Sequence, residues 1–180
     1  MVENRQHNPI KNLYLDTCIY LYAWNNEDPF NRVCYASKQI MAFFHKQLFT
    51  PNVSELVVRE ISKKIRLSYE GTLEKIFTEF KLQKKFDVIR VDNKIKSEAI
   101  RLLTEYYLHY PDNFHAGIAK VLNCVLVTKD RLLLSIARMD GIKSVKPEPS
   151  FWDKIPGFPY ESIIIGLIAV IIIVWRAHKF

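Results

Sequence analysis

The chain has 180 residues, 49% of them hydrophobic, and a formal net charge of +7 at pH 7. That length allows one ordinary domain with some sequence to spare, and that apolar content excludes a largely disordered chain. The positive charge favours an anionic partner, either nucleic acid or a membrane surface. Cys18, Cys34 and Cys124 form no CxxC pair, and the N-terminal stretch is too polar for a signal peptide. We therefore expect a reduced, cytosolic setting without a zinc site or a disulfide framework.

Short apolar runs alternate with amphipathic stretches through most of residues 12–147. The runs that predict buried strands are, in chain order, "NLYL", "LFTP", "FDVIRV", "CVLVT" and "IKSVKP". The stretches that predict helices include "RVCYASKQIMAFFHKQ", "VSELVVREISKKIRLSY", "TLEKIFTEFKLQ", "KIKSEAIRLLTEYYL", "PDNFHAGIAKVLN" and "DRLLLSIARM". This alternation predicts an α/β domain with a mainly parallel sheet.

Two acidic residues follow predicted strands closely. Asp16 comes directly after "NLYL", and Asp130 comes three residues after the apolar run "CVLV". In open parallel sheets, ligands bind beyond the carboxyl ends of the strands, and both acids are placed there. Each of them could also serve only as the N-cap of the helix that follows.

Two further acids fall on predicted helices. Glu60 lies four residues after Leu56 and three after Val57, so it shares their apolar stripe. A carboxylate on a buried stripe is costly unless it is paired or coordinated, and the alternative is a helix-edge glutamate with its head in water. Asp112 follows Pro111 at a helix start, where capping alone would explain a carboxylate.

Together the four acids predict a metal site, because carboxylates gathered at one place repel each other without a compensating cation. Mg²⁺ and Mn²⁺ take oxygen ligands and usually engage only a few carboxylates directly. Such an ion polarises a phosphoryl oxygen and activates a water molecule. With basic residues nearby, the chemistry indicated is hydrolysis of phosphodiester bonds.

The elements "LYLDT", "SELVVREI", "PDNFHAGIAKVLN" and "VLVTKDRLLLSIA", in this order, resemble a PIN domain of the VapC-type toxin group. The resemblance covers residues 12–147. It implies a Rossmann-like, three-layer α/β/α sandwich with a mainly parallel central sheet, and an endoribonuclease site that depends on Mg²⁺ or Mn²⁺. Matched residue by residue, it implies that the catalytic and metal-binding set is Asp16, Glu60, Asp112 and Asp130.

The resemblance also implies residues that support this acidic set. Thr128 precedes the last acid by two positions and matches a small hydroxyl residue that helps to hold the site, and Thr17 belongs to the "LYLDT" motif. His115 matches a common family position, where we favour a packing or supporting role over proton transfer. Cys18 stands where many relatives have asparagine, which removes a supporting amide but no ligand.

The resemblance implies RNA as the substrate, and it further implies a homodimer and, for a toxin, an antitoxin protein that holds it inactive. Lys129 and Arg131 flank the last acid, where they could contact RNA phosphates or be solvated loop cations. The alternative function is a non-catalytic RNA-binding or scaffold protein that uses the same fold at a membrane. It predicts RNA binding that is indifferent to chelator.

The C-terminal part of the sequence changes character. After the stretch "KIPGFPYE", the residues from Ser162 to Trp175 carry no charge. A helix of that length spans roughly 20 Å, less than the roughly 30 Å hydrocarbon core of a bilayer. Phe158 and Tyr160 nevertheless stand where interfacial aromatic residues would lie. We favour a membrane-anchoring helix over a buried strand or an oligomer contact.

The expected organisation is a PIN-like nuclease domain over residues 12–150, a linker over 151–161 and the anchoring helix over 162–176. The nuclease domain is expected in the cytoplasm, anchored to the cell membrane. Arg176 and Lys179 would keep the tail inside by the positive-inside rule. A nuclease domain that faces cytoplasmic RNA would instead need the tail outside, so the sequence leaves the topology open.

Overall fold

A computed structural model of the chain describes residues 12–24, 37–38, 40, 50–79 and 88–147. Residues 12–24, 50–79 and 88–147 all belong to one compact unit, Ile10–Glu148. The elements of this unit, in chain order, are β1 (Asn12–Leu15), α1 (Thr17–Trp24), β2 (Thr50–Asn52), α2 (Glu55–Ile65), α3 (Tyr69–Glu79), α4 (Asn93–Tyr106), α5 (Asp112–Val121), β3 (Val125–Val127), α6 (Arg131–Met139) and β4 (Ser144–Val145).

The four strands form one sheet in the order β2-β1-β3-β4, and each neighbouring pair is parallel. Strands β1 and β3 lie at the centre, where Leu13, Tyr14, Leu15, Leu126 and Val127 are completely buried. A strand covered on both faces needs a continuous apolar run, which is the pattern of "LYL" and "VLV". The predicted α/β fold with a parallel sheet is confirmed.

The predicted strand over residues 86–91 is wrong in the described part of that segment. There, Ile89 forms only an isolated bridge with Ser54. The Ile89 amide donates to the Val53 carbonyl at 2.9 Å, and the Glu55 amide donates to the Ile89 carbonyl at 2.9 Å. Because α2 begins at Glu55, the neighbouring chain leaves the extended conformation and the pairing cannot continue.

Helix α5 owes its position to a close approach to α4. A Cβ added at Gly117 would lie 3.3 Å from the Ala99 amide nitrogen and 3.4 Å from the Ile95 carbonyl oxygen. The absence of a side chain at Gly117 therefore lets the two helix backbones pack directly together. This packing places the first turn of α5, with Asp112 and His115, at the carboxyl edge of the sheet.

No helix in the described part of the chain is both long enough and apolar enough to cross a membrane. The predicted linker over residues 151–161 and the predicted anchoring helix over 162–176 lie outside the described residues. Most of the predicted helix over residues 32–47 lies outside them as well.

Candidate active site

A cleft of about 600 Å³ opens where the central strands β1 and β3 end. The cleft is lined by Asp16, Thr17, Cys18, Leu21, Tyr22, Lys64, Asp112, Lys129, Asp130, Arg131 and Leu132. Three of the four predicted acids therefore face one space, although more than a hundred residues separate the first from the last. Glu60 lies behind this lining rather than in it.

Asp16 is held by donors from two directions. The Thr128 hydroxyl donates to Asp16 Oδ2 at 2.5 Å, and the Cys18 thiol donates to the same oxygen at 3.1 Å. The Asp16 amide donates to the Val127 carbonyl at 3.0 Å, which fixes its backbone to the end of β3. Thr128 therefore contacts the first of the predicted acids, and its supporting role stays a prediction. Cys18 supplies a weak donor where many relatives were expected to carry an amide.

Glu60 projects from α2 toward two donors. Thr17 Oγ1 donates to Glu60 Oε2 at 2.6 Å, and His115 Nε2 lies 2.8 Å from that oxygen. Burial alone would raise the pKa of Glu60, but the hydrogen bond and charge of His115, with the Thr17 hydroxyl, outweigh burial and lower that pKa. The helix-edge alternative is therefore wrong, because the carboxylate is paired rather than left in water.

His115 is only 1% exposed and joins Glu60 to the core. Its Nε2 also lies 3.6 Å from Asp16 Oδ1, and its Nδ1 lies 2.8 Å from the Tyr14 hydroxyl. Burial alone would lower the pKa of His115, but the Glu60 hydrogen bond and the charge of Asp16 outweigh burial and raise it. His115 therefore contacts two of the predicted acids, and its supporting role stays a prediction.

Asp130 both caps a helix and lines the cleft. Its Oδ1 accepts from the Leu133 amide at 2.8 Å, so it caps α6, and its own amide donates to Thr128 Oγ1 at 3.0 Å. The capping interpretation therefore holds for Asp130, but the residue also lines the cleft. An N-cap side chain that accepts from one amide still presents carboxylate oxygen to its other side.

The capping interpretation is wrong for Asp112. Pro111 occupies the N-cap position of α5 and makes no side-chain cap bond, and Asp112 is already the first helical residue. Burial, followed by the charges of Asp16 and Asp130, raises the pKa of Asp112 to about 6. Asp112 is therefore partly buried in the cleft and close to the like charges of Asp16 and Asp130.

Basic residues stand at the same cleft. Lys129 Nζ lies 4.5 Å from the centre of the Tyr22 ring and donates to the Tyr22 hydroxyl at 3.3 Å. Arg131 and Lys64 also contribute to the lining. Sequence reasoning missed Lys64 and Tyr22. Lys64 lies four residues after Glu60, and this helical spacing would have placed it on the same face of α2.

The donor chemistry of the cleft fits a hard divalent cation, because the three acids offer carboxylate oxygens only. Among the residues that the structure describes, however, no three Asp, Glu, His or Cys side chains converge closely enough to hold a metal ion. Mutual repulsion keeps bare carboxylates apart, and a cation between them would reverse that force. The assignment of these residues as ligands stays a prediction.

A family model described as the PIN domain matches residues 13–139. The chain belongs to the PIN domain family. PIN domains are in general nucleases, which are hydrolases. The match spans every element from β1 to α6, so all four predicted acids and the whole cleft lie within the PIN domain.

Solved structures share the PIN fold at low sequence identity. One is VapBC2 from Rickettsia felis, solved with a DNA fragment from the VapBC2 promoter, with a TM-score of 0.55 and 18% sequence identity. The match covers 75% of this chain and 98% of that chain. FitAcB from Neisseria gonorrhoeae has a TM-score of 0.53 and 15% identity, covering 75% of this chain and 97% of that chain. Likeness at these identities shows the fold alone. No curated protein matches the chain at a significant level.

Proposed function

We propose that this PIN domain is an endoribonuclease that depends on Mg²⁺ or Mn²⁺ and acts as a VapC-type toxin. The observation that carries the proposal is the acidic cleft, where Asp16, Asp112 and Asp130 arrive from three separate elements. The raised pKa of Asp112 supports it, because a carboxyl group among like charges is stabilised in its ionised form by a cation.

In this proposal the metal is held by Asp16, Asp112 and Asp130, with Glu60 contributing from behind the cleft. A bound divalent ion supplies a Lewis acid for the scissile phosphodiester and a route to hydroxide near neutral pH. Thr128 orients the carboxylate of Asp16 through its hydroxyl. A ligand whose oxygens are already fixed by neighbouring donors needs little reorganisation when it binds.

RNA is the proposed substrate because cations flank the acids. Lys129 and Arg131 line the cleft beside Asp130, and the whole chain carries a net charge of +7. Cationic side chains at these positions would bind the phosphates on either side of the scissile bond and fix the strand in register. Hydrolysis and strand binding would then take place in a single cleft.

One observation favours the alternative of a non-catalytic RNA-binding or scaffold protein. In the described part of the chain, no three potential ligands converge closely enough to hold a metal ion. A protein of that class would bind RNA equally well with or without chelator. Its binding would also survive neutralisation of the acids, whereas cleavage would not.

Three partner assignments go with the toxin proposal. The two solved structures of similar fold are named as VapBC2 and FitAcB, which supports an antitoxin as the partner of this chain. A homodimer is proposed from the family resemblance. Residues 162–176 are proposed as a single anchor that tethers a cytoplasmic domain to the cell membrane. Fractionation of the full-length chain against a chain that ends at Lys154 tests this anchor.

The decisive experiment incubates the purified full-length chain with a single-stranded RNA labelled at both ends. We expect cleavage with Mg²⁺ or Mn²⁺ and none with EDTA, because the acids alone offer no positive charge to the phosphate. Restoring Mn²⁺ in excess over EDTA is expected to restore cleavage. RNA that is bound but never cut, with or without metal, would instead support the non-catalytic alternative.

The flanking cations give a separate prediction for RNA binding. Lys129→Ala and Arg131→Ala are each expected to reduce the slope of log affinity against log salt by about 0.7, the value for one phosphate contact on a single strand. Fluorescence anisotropy in chelator, where cleavage is blocked, measures the slope. Lys96→Ala on α4, outside the cleft lining, is the matched control. Equal slopes for all four proteins would make Lys129 and Arg131 solvated loop cations.

A further inference from the structure

A buried line of hydrogen bonds runs from the start of α2 to the Glu60 carboxylate. The Ser54 hydroxyl lies 2.9 Å from the Tyr14 hydroxyl, which lies 2.8 Å from His115 Nδ1. His115 Nε2 then lies 2.8 Å from Glu60 Oε2. Ser54 and Tyr14 are completely buried, and His115 is 1% exposed. Neither Tyr14 nor Ser54 touches the cleft, so the proposed chemistry leaves them without a role.

The direction of each hydrogen bond in this line follows from the acceptors. An ionised carboxylate only accepts, so His115 Nε2 must carry the hydrogen that it shares with Glu60. In the neutral imidazole the other nitrogen, Nδ1, is then an acceptor, and the Tyr14 hydroxyl donates to it. Ser54 Oγ accepts from the Val57 amide at 3.2 Å and is free to donate its own hydrogen to Tyr14. Every donor in the line is used once.

We propose that Tyr14 is a positioning residue that anchors the His115 ring at Nδ1 and so, through Nε2–H, fixes the Glu60 carboxylate at the back of the cleft. The inference rests on the proposed function for its catalytic consequence, because Glu60 matters to metal binding only if the cleft binds metal. When a hydrogen bond anchors one nitrogen of a histidine ring, the ring is held in place and its other nitrogen orients the group bonded to it. The anchor here is a tyrosine hydroxyl that is itself tied to the N-cap of α2.

The hydroxyl can be separated from the packing of the ring. The Tyr14 and His115 rings are tilted at 43° with centroids 5.8 Å apart, so phenylalanine at position 14 keeps the same ring contact. Tyr14→Phe removes only the bond to His115 Nδ1 and the bond from Ser54. A residue with a merely structural role would lose stability on this change and leave the metal affinity unaltered.

The first test is direct observation of the tautomer. Long-range ¹H–¹⁵N NMR of the full-length, metal-free chain in detergent distinguishes Nδ1–H from Nε2–H, at a pH where the imidazole is neutral. His115→Gln identifies the signals that belong to this ring. We expect the Nε2–H tautomer in the wild-type chain and also in Tyr14→Phe, because the Glu60 carboxylate accepts from Nε2 in both. An Nδ1–H tautomer in the wild-type chain would overturn the proposal even if Tyr14→Phe does not fold.

The second test measures Mn²⁺ affinity by calorimetry without RNA. Tyr14→Phe is expected to bind Mn²⁺ about 10-fold more weakly than the wild type. This loss is at the lower end of the range seen when a group that orients a metal ligand is removed. Thr72→Val is the control, since Thr72 is completely buried and its hydroxyl accepts from Ser62 at 2.9 Å on the α2–α3 contact. Thr72→Val is expected to lose stability and to keep both the Nε2–H tautomer of His115 and the wild-type affinity for Mn²⁺.

The outcomes separate the two proposals. If the wild type binds Mn²⁺ and Tyr14→Phe binds it with equal affinity, the positioning role is overturned and the nuclease proposal still stands. A wild-type chain that binds no Mn²⁺ contradicts the proposed metal-dependent function. In that case the NMR result alone tests the line of hydrogen bonds, which an Nδ1–H tautomer in the wild-type chain would contradict.

Discussion

Replacing Asp130 by asparagine is expected to reduce metal-dependent RNA cleavage by about 100-fold, or roughly 3 kcal/mol of transition-state stabilisation. Asparagine keeps an oxygen for the Leu133 amide, so the N-cap of α6 survives and the helix is retained. What is lost is one negative charge at the cleft. Cleavage rates of end-labelled RNA at saturating Mn²⁺ measure the effect.

The chain contains a matched control for this change. Asp92 caps α4 with Oδ1 accepting from the Ile95 amide at 2.9 Å, the same contact that Asp130 makes at 2.8 Å, but it does not line the cleft. Asp92→Asn is therefore expected to leave cleavage within about twofold, since only a capping interaction of near-equal strength is exchanged. Asp16→Asn should match Asp130→Asn. Equal cleavage by the wild type, Asp16→Asn and Asp130→Asn would reject the acids as the metal-binding set.

Replacing Asp112 by asparagine is expected to make the metal-free protein more stable at pH 7.5 while it reduces cleavage. The folded-state pKa of Asp112 is raised to about 6 from an ordinary value of 3.8. The native state therefore binds the proton more tightly than the unfolded chain does. The resulting stability is fully present below about pH 3.8 and is lost as the pH rises through 6. At pH 7.5 the ionised carboxyl opposes folding, and asparagine removes that charge.

The size of this gain is set by two opposing effects. For a fully buried group, a pKa shift of this size would lower the free energy of unfolding at pH 7.5 by roughly 3 kcal/mol. Asp112 is partly exposed, however, so solvent screens the repulsion. A carboxylate in the first turn of α5 also interacts favourably with the helix dipole, by about 0.3–1 kcal/mol. We therefore expect a net gain of about 1 kcal/mol in the free energy of unfolding at pH 7.5 and almost none at pH 4.

Urea denaturation at both pH values measures this difference, and added Mg²⁺ provides a second readout. Mg²⁺ is expected to raise the melting temperature of the wild type more than that of Asp112→Asn, because a ligand stabilises the state that binds it. Asp92→Asn, outside the cleft, should gain no stability at either pH. A wild type that is more stable than Asp112→Asn at pH 7.5 without metal would mean that the helix dipole outweighs the repulsion.

Much of the fold could be predicted from local sequence patterns. A strand that is buried on both faces must be apolar throughout, so "LYL" and "VLV" were recognisable as strands. The carboxyl end of such a strand is where a polar residue can first reach a ligand. Asp16 and Asp130 were found by that rule. The predicted strand over residues 86–91 failed because its neighbour, at Glu55, turns into a helix, and an alternating run does not reveal what its partner does.

The sequence by itself determined most of the elements and placed Asp16 and Asp130 next to their ends, because both depend on residues within a few positions of each other. Only the tertiary structure decided how those acids are held. Glu60 meets His115 across 55 positions of sequence and His115 meets Tyr14 across 101, and no periodicity encodes such distances. Whether Asp112 caps a helix or faces a cleft likewise depended on the packing of α5 against α4. Hydrogen bonds are directional and short, so they are settled only when the packed elements bring donor and acceptor together.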